Sequence, residues 1–208
     1  LVVVAAVGNS GPNAQTVTVP GNNPYVLTVG AYDTNGTVTQ WDDDFIPAWS
    51  STGPTLAGFI KPDGIAPGAN IPSYLYTDEA VPQNSAMLAR LHPEFSSTMS
   101  MYWLNGTSMA TAVTTGVVAL ALQKQPALTP DQVKFRLMES ARSAVTNKGD
   151  LIYNVFQHGS GRIWAPDAVL SETIPHESAN GFLDITSDLN DVWALPQQTT
   201  SNNPADND

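Results

Sequence analysis

The chain has 208 residues, no cysteine, and 8 Lys and Arg against 19 Asp and Glu, which gives a formal charge of −11. A chain of this length is expected to form one domain with a substantial core. The negative charge argues against nucleic acid and against an anionic membrane as partners, because either would need a basic surface. Without cysteine, disulfides and thiolate metal sites are excluded.

The chain opens on six apolar residues, Leu1–Ala6, with no polar alternation. That pattern predicts a strand buried on both faces of a parallel sheet. Because such a strand needs a neighbour on each side, we expect that residues once preceded Leu1. We also expect the strand to pair with that missing portion or to drive self-association. A second buried strand is predicted over 25–31, and Pro72 restricts a short strand near Ile71 to a sheet edge.

Three helices are predicted after the strands. The run from Ser108 to Lys124 is almost wholly apolar, which predicts a helix buried all round. Thr129–Gln132 is a capping box with proline at the first helical position, and it begins a helix that ends near Ser143. A short third helix covers 166–170. Strands that alternate with helices predict an α/β fold with a mainly parallel sheet.

Three polar segments lie outside these elements. The stretch 74–103 has no clear period, apart from a helical turn or two at Met87–Leu91, and is interpreted as a surface excursion. From Thr173 onward the chain is rich in Asp, Asn, Ser, Gln and Pro, which predicts a domain over 1–172 and a polar acidic tail or linker over 173–208. Asp42–Asp44 is interpreted as a solvated acidic loop, because the spaced calcium-loop pattern is absent.

Two polar residues are candidates for chemistry. Ser108 lies where a glycine-containing turn meets the predicted helix, whose first N–H groups lack intrahelical partners and carry partial positive charge. A serine there can be a nucleophile whose own N–H holds the anion that it generates, although Thr107 or Ser108 could equally be a plain N-cap. Asn9 follows the first strand at its carboxyl end, where parallel sheets gather their chemistry. By itself, Asn9 also fits an ordinary turn residue.

The combination of motifs resembles the subtilisin-like serine proteases (subtilases, peptidase family S8). Asn105–Ala110 resembles their nucleophile motif, and Ala6–Pro12 resembles their oxyanion-hole segment. Further similar segments follow in the family's order: Thr28–Ala31, Ser50–Pro54, Lys61–Asp63, Ala66–Gly68, Leu128–Gln132 and Gly159–Ile163. The resemblance covers roughly residues 1–170, and it implies a three-layer α/β/α fold with a mainly parallel sheet, incomplete at its amino-terminal side.

The resemblance also implies a function, that of a serine endopeptidase. Ser108 would attack the scissile carbonyl, and Asn9 would donate its side-chain amide to the oxyanion. The implied substrate-binding residues are Ala5, Ala6, Val7, Gly8 and Thr107. A peptide or protein is the implied substrate, no cofactor is required although the family can bind calcium, and the implied location is secreted or extracellular. Pro20 resembles a family proline that follows a cis bond.

The chain departs from the family where the general base should be. The family's aspartate and histidine motifs precede the oxyanion segment, and this chain begins after both. Its three histidines, His92, His158 and His176, lack the His-Gly-Thr setting and are interpreted as surface residues. A serine without a base is a poor nucleophile, so we expect the isolated chain to be inactive unless the amino-terminal portion complements it. Smaller departures, Ala112 and Thr114–Thr115, would change only helix packing.

Two other functions remain open at this point. The chain could be a non-catalytic peptide-binding or structural module that has a subtilase fold and no chemistry. It could also be a different serine hydrolase such as an esterase. The sequence around Ser108, Gly-Thr-Ser-Met-Ala, argues against the esterase because the Gly-x-Ser-x-Gly elbow is absent.

Overall fold

The computed structural model describes residues 1–37, 40–74, 91–98, 101–145, 149, 151–181 and 183–184. The central sheet is parallel with strand order β1-β2-β3, where β1 is Val4–Ala6, β2 is Leu27–Tyr32 and β3 is Gly64–Pro67. A second, antiparallel sheet has the order β4-β6-β5, where β4 is Ile71–Tyr74, β5 is Ser96–Thr98 and β6 is Met101–Leu104. Helices in the described part of the chain are α1, Thr107–Lys124, α2, Pro130–Glu139, α3, Val155–His158, and α4, Ala165–Leu170, with a 3-10 turn at Pro93–Phe95.

The predicted α/β class with a parallel central sheet is confirmed, but β1 is shorter than its sequence pattern suggests. Val4–Ala6 pairs with β2, whereas Leu1 and Val3 are exposed. The prediction of a strand buried on both faces was therefore wrong for its first residues, because within the described residues β1 has a neighbour on one side only. All six residues of β2 are buried, as the second apolar run predicts.

α1 packs across all three strands of the parallel sheet, but it is not buried all round. Its inward side joins the core through Ala110, Val117 and Val118. The opposite side, the outer face of α1, is exposed and consists of Ala112, Val113, Gly116, Ala119 and Leu120. The prediction of a fully buried helix was wrong because the described residues supply packing partners for only one side.

Thr114 on α1 has an unusual environment for a threonine. Its side chain is fully buried, and its hydroxyl has no hydrogen-bond partner within the described structure. The sequence predicted a change in helix packing at this position. In the structure, the change is a buried hydroxyl without a hydrogen-bond partner, and such a group lowers the stability of the folded state.

The capping box of α2 is present as the sequence predicts, and the segment after α4 lies against this helix. Thr129 accepts the Gln132 N–H at 3.2 Å, and Gln132 Oε1 accepts the Thr129 N–H at 2.9 Å. α2 ends at Glu139, short of the predicted end. Gln132 Nε2 donates to the Pro175 carbonyl at 3.2 Å, and Asp131 accepts the Ala179 N–H at 3.1 Å. The boundary after residue 172 stays a prediction, and the beginning of the predicted tail contacts the domain.

Of the polar residues that were interpreted as solvated, one is buried and one is only partly exposed. His158 is 3% exposed, and its Nε2 lies 2.9 Å from the Tyr153 carbonyl oxygen. Asp44 accepts a hydrogen bond from Arg162 at 2.6 Å, and the Arg162 guanidinium stacks over the Trp41 ring at 4.4 Å from its centroid. The surface interpretation was wrong for His158, whose ring contacts the carbonyl of a residue five positions earlier. Asp44 is only partly exposed because the distant Arg162 lies against it.

The predicted surface excursion contains more regular structure than its sequence indicates. β5, the 3-10 turn and the first three residues of β6 fall within 74–103. The helical turn predicted at Met87–Leu91 lies outside the described residues except for Leu91. β4 is an edge strand of the second sheet, as Pro72 predicts.

A buried cluster of charges holds the amino ends of β2 and β3 together. Asp63 Oδ2 accepts hydrogen bonds from Lys61 Nζ and from the Thr28 N–H, both at 2.7 Å, and Lys134 Nζ lies 3.3 Å from Asp63 Oδ1. All three charged side chains are almost fully buried. Burial lowers the pKa of Lys61 to about 8, since removal from water disfavours the ammonium more than Asp63 favours it, and Lys134 adds to the lowering.

This pKa predicts how stability changes at alkaline pH. Between pH 8 and 10.5 the unfolded chain holds a proton on Lys61 that the folded chain lacks, so the free energy of unfolding rises with pH across that window. Lys61→Met removes this component. In urea titrations from pH 7 to 11, we expect the wild-type slope to exceed that of the variant by up to about 1.4 kcal/mol per pH unit. Parallel pH profiles for the two proteins would contradict this prediction.

Candidate active site

Asn9 connects the loop after β1 to the beginning of α1. Its Oδ1 accepts two hydrogen bonds from Thr107, one from the backbone N–H and one from the hydroxyl, both at 3.0 Å. The Thr107 hydroxyl in turn accepts the Gly8 N–H at 3.3 Å. Because a backbone N–H can only donate, these bonds fix the oxygen side of the carboxamide toward Thr107 and turn its Nδ2 away.

The cap of α1 differs from the one that the sequence suggests. Gly106 is the N-cap residue and no side-chain cap bond of its own is formed, while Thr107 is the first residue of the helix. The alternative in which Thr107 or Ser108 is a plain N-cap is therefore excluded, and the distant Asn9 accepts the Thr107 N–H. Ser108, the second residue of the helix, is exposed.

The position that a side chain at Gly106 would occupy is bordered by Asn9, by Ser108 and by the Met109 sulfur, which would lie 3.5 Å from a Cβ there. A Cβ at Gly106 would lie 3.5 Å from Asn9 Nδ2 and 3.8 Å from the Ser108 backbone nitrogen. The two nitrogens therefore approach the same point beside the exposed Ser108 residue. Gly106 has a φ of +153°, within the range that favours glycine. Such a pair of N–H donors can bind an oxygen that becomes negatively charged.

The loop that carries Asn9 is held on both sides by residues that sequence reasoning did not select. The Ser10 N–H donates to Ser51 Oγ at 3.0 Å, and the Ser51 N–H donates to the Gly8 carbonyl at 3.0 Å. A Cβ on Gly8, whose φ is +115°, would lie only 2.8 Å from Ser51 Oγ. Ser51 is thus a positioning residue, and the only signal for it in the sequence was the resemblance of Ser50–Pro54 to a framework segment.

The structure places the implied substrate-binding residues at different depths. Ala5, Val7 and Thr107 are buried, whereas Ala6 and Gly8 are half-buried. Contact of a ligand with this segment would therefore involve Ala6 and Gly8 more than their neighbours. The bond between Val19 and Pro20 is cis.

Two of the three histidines are engaged in other contacts. His92 Nδ1 lies 3.1 Å from Glu94 Oε1 beside the second sheet, and His158 is buried against Tyr153. His176 is exposed in the segment after α4. In the part of the chain that is described, no group of three or more His, Asp or Glu residues is arranged to hold a metal ion. None of the described helices is both long and apolar enough to cross a membrane.

The Thr107 hydroxyl should be important for holding Asn9 in place. Thr107→Val removes two of the bonds that join Gly8 and Asn9 to α1, and it leaves the Gly8 N–H without its acceptor. We expect the free energy of unfolding, measured by chemical denaturation, to fall by about 1–3 kcal/mol. Thr111→Val is the control, because that hydroxyl bonds only to the Thr107 carbonyl one helical turn away. Equal losses in the two variants would contradict a special role for Thr107.

Comparison with known proteins gives a consistent picture. The model of the subtilase family matches residues 1–161. The serine protease AprX of Bacillus subtilis is 38% identical over 169 residues, which are 81% of this chain and 35% of that protein. Subtilisin DY of Bacillus licheniformis is 32% identical over 165 residues, which are 78% of this chain and 44% of that protein.

A solved structure shows the same fold. Fervidolysin from Fervidobacterium pennivorans, described as a keratinolytic enzyme related to subtilisin, superimposes with a TM-score of 0.57 at 24% identity, over 85% of this chain and 23% of that one. This chain therefore spans less than half the length of each of the three proteins. Because the family model matches residues 1–161 and AprX is 38% identical over 81% of the chain, the chain belongs to the subtilase family of serine proteases.

Proposed function

We propose that this chain is the carboxyl-terminal portion of a subtilase catalytic domain, in which Ser108 is the nucleophile and Asn9 an oxyanion donor. The observation that carries the proposal is that Asn9 Nδ2 and the Ser108 backbone nitrogen both lie within 3.8 Å of the point where a Cβ of Gly106 would be. The serine protease activity that the name of AprX states supports the same assignment, as does the membership of the family. The proposed reaction is hydrolysis of peptide bonds, and no cofactor is required.

The proposed mechanism assigns one task to each residue. Ser108 Oγ attacks the scissile carbonyl carbon, and the carbonyl oxygen becomes an anion that accepts hydrogen bonds from Asn9 Nδ2 and the Ser108 N–H. Collapse of this intermediate releases the amine and leaves an acyl group on Ser108, which water then hydrolyses. Thr107 keeps the Asn9 carboxamide oriented, so the donor needs no reorganisation as the charge develops.

The proton that Ser108 loses needs a base, and the proposal places that base outside this chain. Neither His92 nor His158 is free of other contacts, and the family's His-Gly-Thr motif does not occur in the sequence. The relatives are more than twice as long as the matched region. The base and its aspartate would therefore come from an amino-terminal portion, and the isolated chain would be inactive. The proposal includes secretion of the protein, as the family resemblance implies.

The activity test compares variants of the protein that contains this chain together with its upstream residues. Ser108→Ala should abolish cleavage of a peptide anilide, and Asn9→Ala should lower kcat with little change in KM. For the size of the Asn9 effect we adopt the value known for subtilisin itself, a loss of about 10²–10³ in kcat, as the reference. Asn13→Ala, at an exposed position of the same loop, is the control.

Two outcomes would overturn the proposal. Strong turnover by the isolated chain that depends on Ser108 would show that no complementation is needed. Failure of a peptide boronate to form an adduct with Ser108 in the complemented protein would favour the non-catalytic peptide-binding module instead.

The amino-terminal portion should bind at the outer face of α1 and at the open edge of β1. Val113 and Leu120 are 37% and 51% exposed on that face, and Val3 is 45% exposed beside the strand. Burial of these apolar groups would stabilise the complex, whereas exposure of a strand edge promotes association with other chains.

This surface predicts the behaviour of the isolated chain in solution. By analytical ultracentrifugation we expect it to self-associate and to bind an apolar dye, and Leu120→Asp should weaken both effects. Leu170→Asp, at another exposed apolar position, on α4, should leave them unchanged. A compact monomer at low concentration that binds no dye would contradict the prediction.

A further inference from the structure

The residues that follow α4 are held along α2 by side chains of that helix. Arg136 donates a hydrogen bond to the Thr173 carbonyl, and Gln132 Nε2 donates to the Pro175 carbonyl at 3.2 Å. The Pro175 side chain is buried. Residues 171–181, which we call the clasp, are therefore part of the folded structure, although the match to the subtilase model ends at residue 161.

The end of the clasp is tied to the buried cluster of charges. Asp131 accepts the Ala179 N–H at 3.1 Å and a hydrogen bond from Asn180 Nδ2 at 2.8 Å. Asn180 Oδ1 accepts a hydrogen bond from Lys134 Nζ at 3.1 Å, and the same Nζ lies 3.3 Å from Asp63 Oδ1. These bonds fix the position of the chain beside the amino ends of β2 and β3, four residues before its described part ends.

A cavity of about 670 Å³ opens where the clasp ends. The charged side chains that line it already bind one another in the buried cluster. The apolar part of its lining includes Phe59, Ile60, Pro62, Met138 and Val155. Ile60 and Val155 are 54% and 38% exposed. Because the charges are paired and the remaining walls are largely apolar, the cavity suits an apolar occupant.

The continuation of the chain has side chains that suit this cavity. Leu183, two residues after the clasp, already lines the cavity and is half-buried. Beyond it, apolar residues recur at the i, i+4, i+7 and i+8 spacing of one helix face: Ile185, Leu189, Val192 and Trp193. A segment that is tethered beside its binding site is present there at a high effective concentration, so even modest apolar contacts can hold it.

The cavity lies at the opposite end of the parallel sheet from the proposed active site. Pro24 and Asp63, which line the cavity, come just before β2 and β3, whereas Asn9 follows the carboxyl end of β1. The strands are parallel, so their amino and carboxyl ends lie at opposite edges of the sheet. A segment bound in the cavity therefore leaves Ser108 open, and its role is to cover an apolar surface.

We propose that residues 185–195 dock in this cavity, with Leu189, Val192 and Trp193 against its apolar walls. The cavity is then a binding site for a segment of the same chain, and this proposal does not depend on the proposed function of Ser108. The clasp holds the segment at the entrance, and removal of its apolar side chains from water stabilises the docked state. The predicted polar tail would then begin only beyond this segment.

Quenching of Trp193 fluorescence by acrylamide tests the proposal in the full 208-residue chain. The contribution of Trp193 is obtained as the difference between the wild-type protein and Trp193→Phe. We expect a blue-shifted emission and a quenching constant several-fold lower than that of free tryptophan, because a docked indole is shielded from the solvent.

Three variants locate the shielding. Val155→Asp places a charge on the cavity wall, at the first residue of α3 where an acidic side chain is tolerated. It should raise the quenching constant to that of free tryptophan, because an unpaired carboxylate opposes burial. Leu189→Asp places the charge on the segment, leaves every described residue unchanged, and should have the same effect. Leu170→Asp, at a 66% exposed position on α4 outside the cavity, is the matched control and should change nothing.

Three results would overturn the proposal. The first is a Trp193 in the wild-type protein that acrylamide quenches as strongly as free tryptophan. The second is shielding that survives both Val155→Asp and Leu189→Asp. The third is shielding that disappears on dilution, because the cavity would then be occupied by the segment of a second copy of the chain.

Discussion

The side-chain oxygen of Asn9 accepts hydrogen bonds from the first residue of α1, and the arrangement of the site depends on that contact. It joins the end of one strand to the beginning of the longest described helix, and it determines which end of the carboxamide faces outward. An asparagine is needed rather than an aspartate, because only the amide has an acceptor for Thr107 on one end and donors on the other. The contact thus gives one residue a structural role and, under the proposed function, a chemical one.

The residues around Asn9 hold it in the position that its contact with Thr107 requires. Ser51 fixes the backbone on either side of Asn9, and the absence of a side chain at Gly8 allows Ser51 to approach. Gly106 keeps clear the space that the Asn9 amide and the Ser108 nitrogen share. Small residues at these positions therefore serve close packing of polar groups rather than flexibility of the loop.

Local patterns in the sequence predicted the elements that depend on local interactions. The capping box of α2 and the fully buried β2 follow from short-range chemistry, and both are present. In the second sheet, β4 was predicted near Ile71, whereas β5 and β6 were missed because they have three and four residues and show no clear alternation. The burial of His158 was missed because its partner is a backbone carbonyl, and the low exposure of Asp44 was missed because Arg162 is far away in the sequence.

The candidate site was predicted only by combining two weak signals, and its catalytic role stays a proposal. Neither Ser108 nor Asn9 was distinctive alone, and the order of the motifs suggested that they meet. The sequence could not show how Asn9 is held beside Ser108. The hydrogen bonds made by the Thr107 hydroxyl and by Ser51 depend on where the folded backbone places these residues. The prediction that α1 is buried on all sides was wrong for a related reason. The composition of a helix shows that it is apolar, but it does not show which neighbours are available to cover it.

The separation of the bonded residues along the chain has a consequence for the order of folding. Gly8 and Thr107 lie 99 positions apart, so their hydrogen bond closes a loop of nearly half the chain. Contacts of such length form late, after local helices and turns, because closing the loop costs entropy before other contacts compensate. An intermediate with α1 formed but β1 undocked would present a serine without its partner amide. Under the proposed function, Asn9 and the Ser108 N–H would come together only when β1 docks against α1, so the oxyanion donors would be assembled by one of the last tertiary contacts to form.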